Sequence, residues 1–94
     1  MAIVVTRHKA LVELLQERGI IGDDVKVIDH VALPSMLDGH DVIGVLPLYL
    51  AARCRTVTEV PLNIRPDERG KELDLDRLRD VAGDPVTYQV IRVA

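Results

Sequence analysis

The chain contains no Phe and no Trp, and Tyr occurs only at Tyr49 and Tyr88. A core built on aromatic rings is therefore excluded, and the case for a stacking platform for single-stranded nucleic acid is weakened. Positive charge is not in excess either: 12 Lys and Arg face 15 Asp and Glu, for a net charge of −3. A protein that tracks long DNA or RNA carries a basic footprint, so no long nucleic acid is expected as a partner. Cys54 is the sole cysteine, which rules out an intrachain disulfide and suits a reducing cytoplasm. It reads as a small buried apolar residue rather than a catalytic thiol. No apolar run is long enough to cross a membrane, and Ile3–Val5 reads as a strand, not an export signal. No membrane association is expected. The dinucleotide fingerprint, the P-loop and the serine-hydrolase elbow around Ser35 are all missing. His30 and His40 flank a stretch with Asp29, Asp38 and Asp41, but at spacings that match no metal-ligand pattern. Neither a metal nor another cofactor is expected.

What remains is aliphatic. Of the 94 residues, 48% are hydrophobic, enough for one domain (residues 1–94) with a small core of Val, Leu, Ile and Ala. Such a core often gains stability from a second subunit, which makes a homodimer the expected assembly. Ala2–Thr6 has the unbroken apolar character of a strand buried on both faces. Leu11, Leu14 and Leu15 then recur at helical spacing, with Thr6 as a candidate cap and Gly19 as the stop. Further strands are expected at 25–29, 41–46, 57–64 and 86–93, with Pro61 marking an edge or a bulge. Short helices are expected at 48–54 and 74–82, and Pro34–Leu37 as a short helix or an apolar loop. Gly44 in the third strand suits close packing. Strands that alternate with helices indicate an α/β fold with a mostly parallel sheet of about five strands, in a compact Rossmann-like arrangement.

Ligands of such sheets sit at the carboxyl ends of the strands, which singles out Thr6–Lys9, His30 and Leu46–Tyr49. Arg7, His8 and Lys9 stand together where the first helix begins. A helix N-terminus carries partial positive charge, so each cation there costs about 0.3–1 kcal/mol. An anion bound among the three would offset that cost. The guanidinium of Arg7 can hold two phosphate oxygens, and the imidazole of His8 can exchange a proton near neutral pH. The same residues also suit a solvated basic turn with no ligand. Arg65–Glu72 carries six charged residues around Gly70 and reads either as a solvated loop or as a lid that brings Arg65 or Arg69 over an anion.

Three segments together resemble a known family. The opening VVTRHKALVELLQERGI, the middle DVIGVLPLYLAA and the late PLNIRPDERGKELDLDRL are similar to the small CRISPR-associated proteins called Csx-sixteen, and to the related Crn-type proteins of type III systems. The shared pattern is a strand followed by Ser-Arg-His, then G-x-L-P leading to L-A-A, then R-G-x-E-L. Arg7, His8, Gly44–Pro47, Leu50–Ala52 and Arg69–Leu73 match it, with Thr6 in place of the serine. The resemblance implies a ring nuclease: a homodimer that degrades cyclic oligoadenylates, most commonly the tetra-adenylate, the second messengers of type III CRISPR defence. It further implies chemistry without a metal, in which a ribose 2′-OH attacks the adjacent phosphate and leaves a 2′,3′-cyclic phosphate. On that reading Arg7 holds the phosphate and His8 moves a proton or stabilises charge. Thr6, Lys9 and the first-turn N–H groups bind phosphate oxygens. Leu46, Pro47 and Tyr49 shape the adenine or ribose pocket, and Arg65 or Arg69 closes over it. Two other classes stay open on the residues alone, namely a module that binds a cyclic nucleotide without cutting it and a structural dimer with no ligand.

Overall fold

The apolar run at the N-terminus becomes β1 (Ala2–Val5), and in the computed structural model, which describes residues 2–94, it lies inside a five-stranded sheet. β2 (Lys26–Ile28) and β3 (Asp41–Gly44) flank it, both parallel to it. β4 (Thr56–Glu59) pairs parallel with β3, and β5 (Val86–Tyr88) adds antiparallel at the far edge. The order β2-β1-β3-β4-β5 makes this the mostly parallel α/β sheet that the strand pattern called for.

Alternation along the strands loads both faces. Ile3, Val42 and Val57 point to one side, against Leu37 of a 3-10 turn (Pro34–Leu37), Leu50 and Ala51 of α2 (Leu48–Ala51), and Cys54 just beyond it. Val4 and Ile43 point to the other, beneath Leu15 and Ile21 of α1 (Lys9–Glu17) and the turn that follows it. Leu14 of α1 turns instead toward α3 (Leu75–Val81), where it meets Leu78 and Val81. Leu14, Leu15 and Leu78 are completely buried, each worth about 1.5–3 kcal/mol of transfer free energy. Gly19 ends α1 at φ +70°, with its N–H donating to Gln16 and that of Ile20 to Leu15, the bonding of a Schellman cap.

Several boundaries differ from the sequence expectation, each for a physical reason. β4 stops at Glu59 rather than Ile64, because Pro61 has no N–H for the ladder; Leu62 returns only as an isolated bridge to Ala82. The last strand ends at Tyr88 rather than Val93. In the antiparallel register Tyr88 faces Val57, one residue from the start of β4, so the chain beyond runs out of partner backbone. α2 is one turn long and ends at Ala51. The charged stretch after Ile64 is not a free loop. It contains a 3-10 turn (Pro66–Glu68) whose Glu68 is buried and accepts from Arg77 Nε and Nη2, both at 2.7 Å, and from the Arg65 N–H at 3.1 Å. Those donors hold the Glu68 carboxyl at a pKa of about 2, with the Arg77 hydrogen bonds the largest cause. The segment is thereby tied to α3.

Candidate functional site

The order β2-β1-β3 means that the chain leaves β1 to one side and returns to β3 on the other. The carboxyl ends of these strands therefore diverge around a crevice. Thr6 closes β1 there. Its N–H donates to the Ile28 carbonyl at 2.9 Å, and its Oγ1 accepts from the His8 N–H at 3.1 Å. Thr6 is thus not the helix cap expected of it but the acceptor that folds the next residues into a turn. His8 takes the cap position in extended conformation, with no side-chain bond to the helix, and Lys9 is the first helical residue. The first turn holds no acidic residue, so the N–H groups of Lys9 and Ala10, which an α-helix cannot satisfy internally, have no side chain capping them.

Two clefts open on this turn. One, of about 700 Å³, lies on the β2 side and is lined by Thr6, Arg7, His8, Lys9, Val12, Val27, Ile28, Asp29 and His30. The other, of about 540 Å³, lies on the β3 side and adds Gly44, Val45, Glu59 and Leu62, among others, to the shared walls Thr6, Arg7, His8 and Asp29. Both fall in the size range of small-molecule sites, about 300–1,000 Å³. Gly44 is required at this point. A Cβ built on it would lie 2.5 Å from the carbonyl oxygen of Val5, so only glycine lets β3 pass this close to the end of β1.

The electrostatics single out particular cations. Arg18 donates to the carbonyls of Ala82 and Gly83, Arg53 pairs with Asp38, Arg55 with Asp41, Arg65 with Asp67 and Glu68, Arg77 with Glu68, and Arg79 with Glu17 and Asp76. Arg92 bonds the Ala94 carbonyl oxygen. Among the described residues, Arg7 and Arg69 are the arginines without such a partner, and Lys9 also has none. Asp41 shows what pairing does to a carboxyl: hydrogen bonds from Arg55 and then Thr56 hold it at a pKa of about 2. In the β2-side cleft Arg7 and Lys9 oppose only Asp29, leaving a local positive excess in a protein of net negative charge.

Thr6, Arg7, His8 and Lys9 therefore stand together at one mouth. The other expected site residues stand elsewhere in the protomer. Leu46 turns into the core beneath α2, Pro47 is exposed ahead of that helix, and Tyr49 borders a hollow with Val90 and Ile91. Arg65 is engaged with Asp67 and Glu68. Arg69 lines neither cleft, although Glu72 and Leu73 just beyond it share a shallow groove with Lys9 and Ala10 at the start of α1. The residues underrated in the sequence are Asp29 and His30. Their position after β2 was the available signal, and the structure adds that His30 Nδ1 lies 2.9 Å from Asp29 Oδ1. That hydrogen bond is the largest cause holding the Asp29 carboxyl below its ordinary value. His40 lies at the other end of β3, away from His30, and among the described residues no group of three or more His, Cys, Asp or Glu comes together. Cys54 is buried, which pushes its thiol pKa up. No helix among the described residues is long and apolar enough to cross a membrane.

No curated protein and no solved structure matches the chain. A family model does, from residue 3 to residue 91, under the description "Putative CRISPR-associated protein (Cas_VVA1548)". With that match running from β1 past β5, the chain belongs to this CRISPR-associated family.

Proposed function

We propose that the protein is a ring nuclease that opens cyclic oligoadenylates, cyclic tetra-adenylate foremost, and so removes the second messenger of a type III CRISPR response. The observation that carries this reading is the unpaired Arg7, which with His8 lines two adjoining clefts and is joined by Lys9 in the β2-side one, while most other arginines are tied to carboxylates or carbonyls. A compact cyclic polyanion needs a local positive site and not a basic protein, which agrees with a net charge of −3. Membership in a CRISPR-associated family supports the biological setting, and with it a place in the cytoplasm. The strand order and the helices on both sheet faces support the Rossmann-like description.

The reaction needs no group from outside the chain. The 2′-oxygen of one ribose bonds to phosphorus as the bond to the 5′-oxygen of the next residue breaks. The 2′-OH proton leaves, and the 5′-oxygen gains one. Arg7, Lys9 and the free N–H groups of the first turn hold the phosphate in line and stabilise its charge. His8 exchanges a proton with one of the two oxygens.

A homodimer completes this reading. Val45 borders the β3-side cleft and is 77% exposed; Leu48, Tyr49 and Ile91 are 76%, 69% and 70% exposed on the same side of the molecule as α2. Contact through this apolar surface would bring two clefts to one two-fold axis, where they could share a symmetric ring.

The test is to incubate the pure protein with labelled cyclic tetra-adenylate in EDTA and to separate the products. Linear di- or tetra-adenylates ending in 2′,3′-cyclic phosphate are expected. Arg7→Ala should weaken binding and slow cleavage, and His8→Ala should slow cleavage more than it weakens binding. An intact ring retained by the protein would make it a binding module instead. Absence of both binding and cleavage would refute the proposal.

A further inference from the structure

The reaction proposed above moves two protons at two oxygens on opposite sides of the phosphorus. One imidazole beside the phosphate reaches only one of those oxygens at a time. The β2-side cleft holds a second imidazole. His30 lines it together with Arg7, His8 and Lys9, and the two histidines follow strands paired directly with each other, Val5 opposite Ile28. Paired strands lie about 4.8 Å apart, and the Thr6 N–H to Ile28 carbonyl bond at 2.9 Å holds their ends together just before both histidines.

The ring of His30 is also set for use. Its Nδ1 lies 2.9 Å from Asp29 Oδ1, so the carboxylate orients the imidazole and leaves Nε2 as the free nitrogen. The His30 side chain is 66% exposed, within reach of a ligand in the cleft. The charged and titratable groups around it are Arg7, His8 and Lys9 from the β1–α1 turn and Asp29 from its own loop. His8 and His30 are the two imidazoles among these, the side-chain type suited to general acid–base work.

We infer that His30, oriented by Asp29, is the second proton-transferring residue of the ring-opening reaction and works on the oxygen opposite to the one that His8 serves. One histidine takes the 2′-OH proton as the oxygen–phosphorus bond forms. The other gives its proton to the 5′-oxygen as the bond from phosphorus to that oxygen breaks, and exchange with water then takes the proton from the first histidine and returns one to the second. The inference rests on the ring-nuclease reading. Asp29 is a positioning residue, since it acts through the ring.

Single-turnover cleavage of cyclic tetra-adenylate across pH tests it, using the parent, His8→Gln, His30→Gln and Asp29→Asn. A second substrate carries sulfur in place of each bridging 5′-oxygen, so that its leaving group departs without a proton. On the ordinary ring His30→Gln should lose about 10²-fold or more in rate, with little change in binding. The bell-shaped pH profile of the parent should lose one limb in His30→Gln and the opposite limb in His8→Gln. Asp29→Asn should lose less and displace the limb that His30→Gln removes. The sulfur substrate should restore one of the two histidine variants and not the other, which also shows that the restored variant is folded. A His30→Gln protein with the parental rate and profile, the same limb lost in both variants, or rescue of both or neither overturns the inference. A parent that produces no linear product from either substrate sinks the ring-nuclease reading itself, a separate result.

Discussion

Replacing Gly44 by alanine probes the join between the sheet and the site. The new Cβ would lie 2.5 Å from the Val5 carbonyl oxygen, where real Cβ atoms stay beyond 3.0 Å, and both partners are backbone. No side chain can swing away, so β1 and β3 must part at the point where Val5 pairs with Gly44. Overpacking of this kind costs about 1–3 kcal/mol. The residue also sits at φ +154°, and strained backbone adds about 1 kcal/mol or more for a side chain there. Together the change should cost roughly 2–4 kcal/mol, a large part of the stability of a small domain. For a chain of this length that lowers Tm by about 10–25 °C. Gly19→Ala is the control: its φ is +70°, but nothing lies within 4 Å of the added Cβ, so it should cost only about 1 kcal/mol. Thermal unfolding followed by circular dichroism gives both numbers. Cleavage measured well below the lower Tm should also fall in Gly44→Ala, because the end of β1 carries Arg7 and His8. A Gly44→Ala protein that melts within about 3 °C of the parent, or no lower than Gly19→Ala, would refute the packing argument.

Thr6→Val removes the acceptor for the His8 N–H and should cost about 0.5–1.5 kcal/mol with a larger proportional loss of cleavage, whereas Thr6→Ser keeps both; Tm and rate measured together decide this. Glu68 has a folded pKa of about 2 against an ordinary 4.5, so its contribution to stability is present above about 4.5 and lost as pH falls toward 2. Glu68→Gln should flatten the decline of Tm over that acid window, and an unchanged slope would contradict the Arg77 pairing. Leu48→Glu places a charge on the exposed apolar surface of α2, so sedimentation equilibrium should show a monomer with a near-parental Tm at low concentration where the parent should sediment as the proposed dimer.

The pattern of buried strands was legible in the sequence because it is a local record of burial. The unbroken aliphatic run at Ala2–Val5 and the nearly all-aliphatic stretch that follows Asp41 have little polar surface to offer water, so both sheet faces had to be covered. The stop at Gly19 is local in the same way, whereas the cap at Asp74, which accepts from the Arg77 N–H, emerges only in the structure. The short segments end earlier than their local pattern suggests where neighbours decide, as at Pro61 and beyond Tyr88, since a strand lasts only as long as its partner does. The basic turn was visible as three adjacent residues, but not its freedom.

That freedom depends on which of the other charges find partners. Arg53 meets Asp38 across 15 residues, and Arg79 meets Glu17 across 62. No spacing rule links such pairs, because each exists only after the sheet has chosen its strand order. The same choice sets β2 beside β1 and so gives His30 and His8 one cavity. Burial is encoded residue by residue along the chain. Which charges stay unpaired, and which side chains share a cleft, is settled by contacts between distant segments and so by the tertiary structure alone.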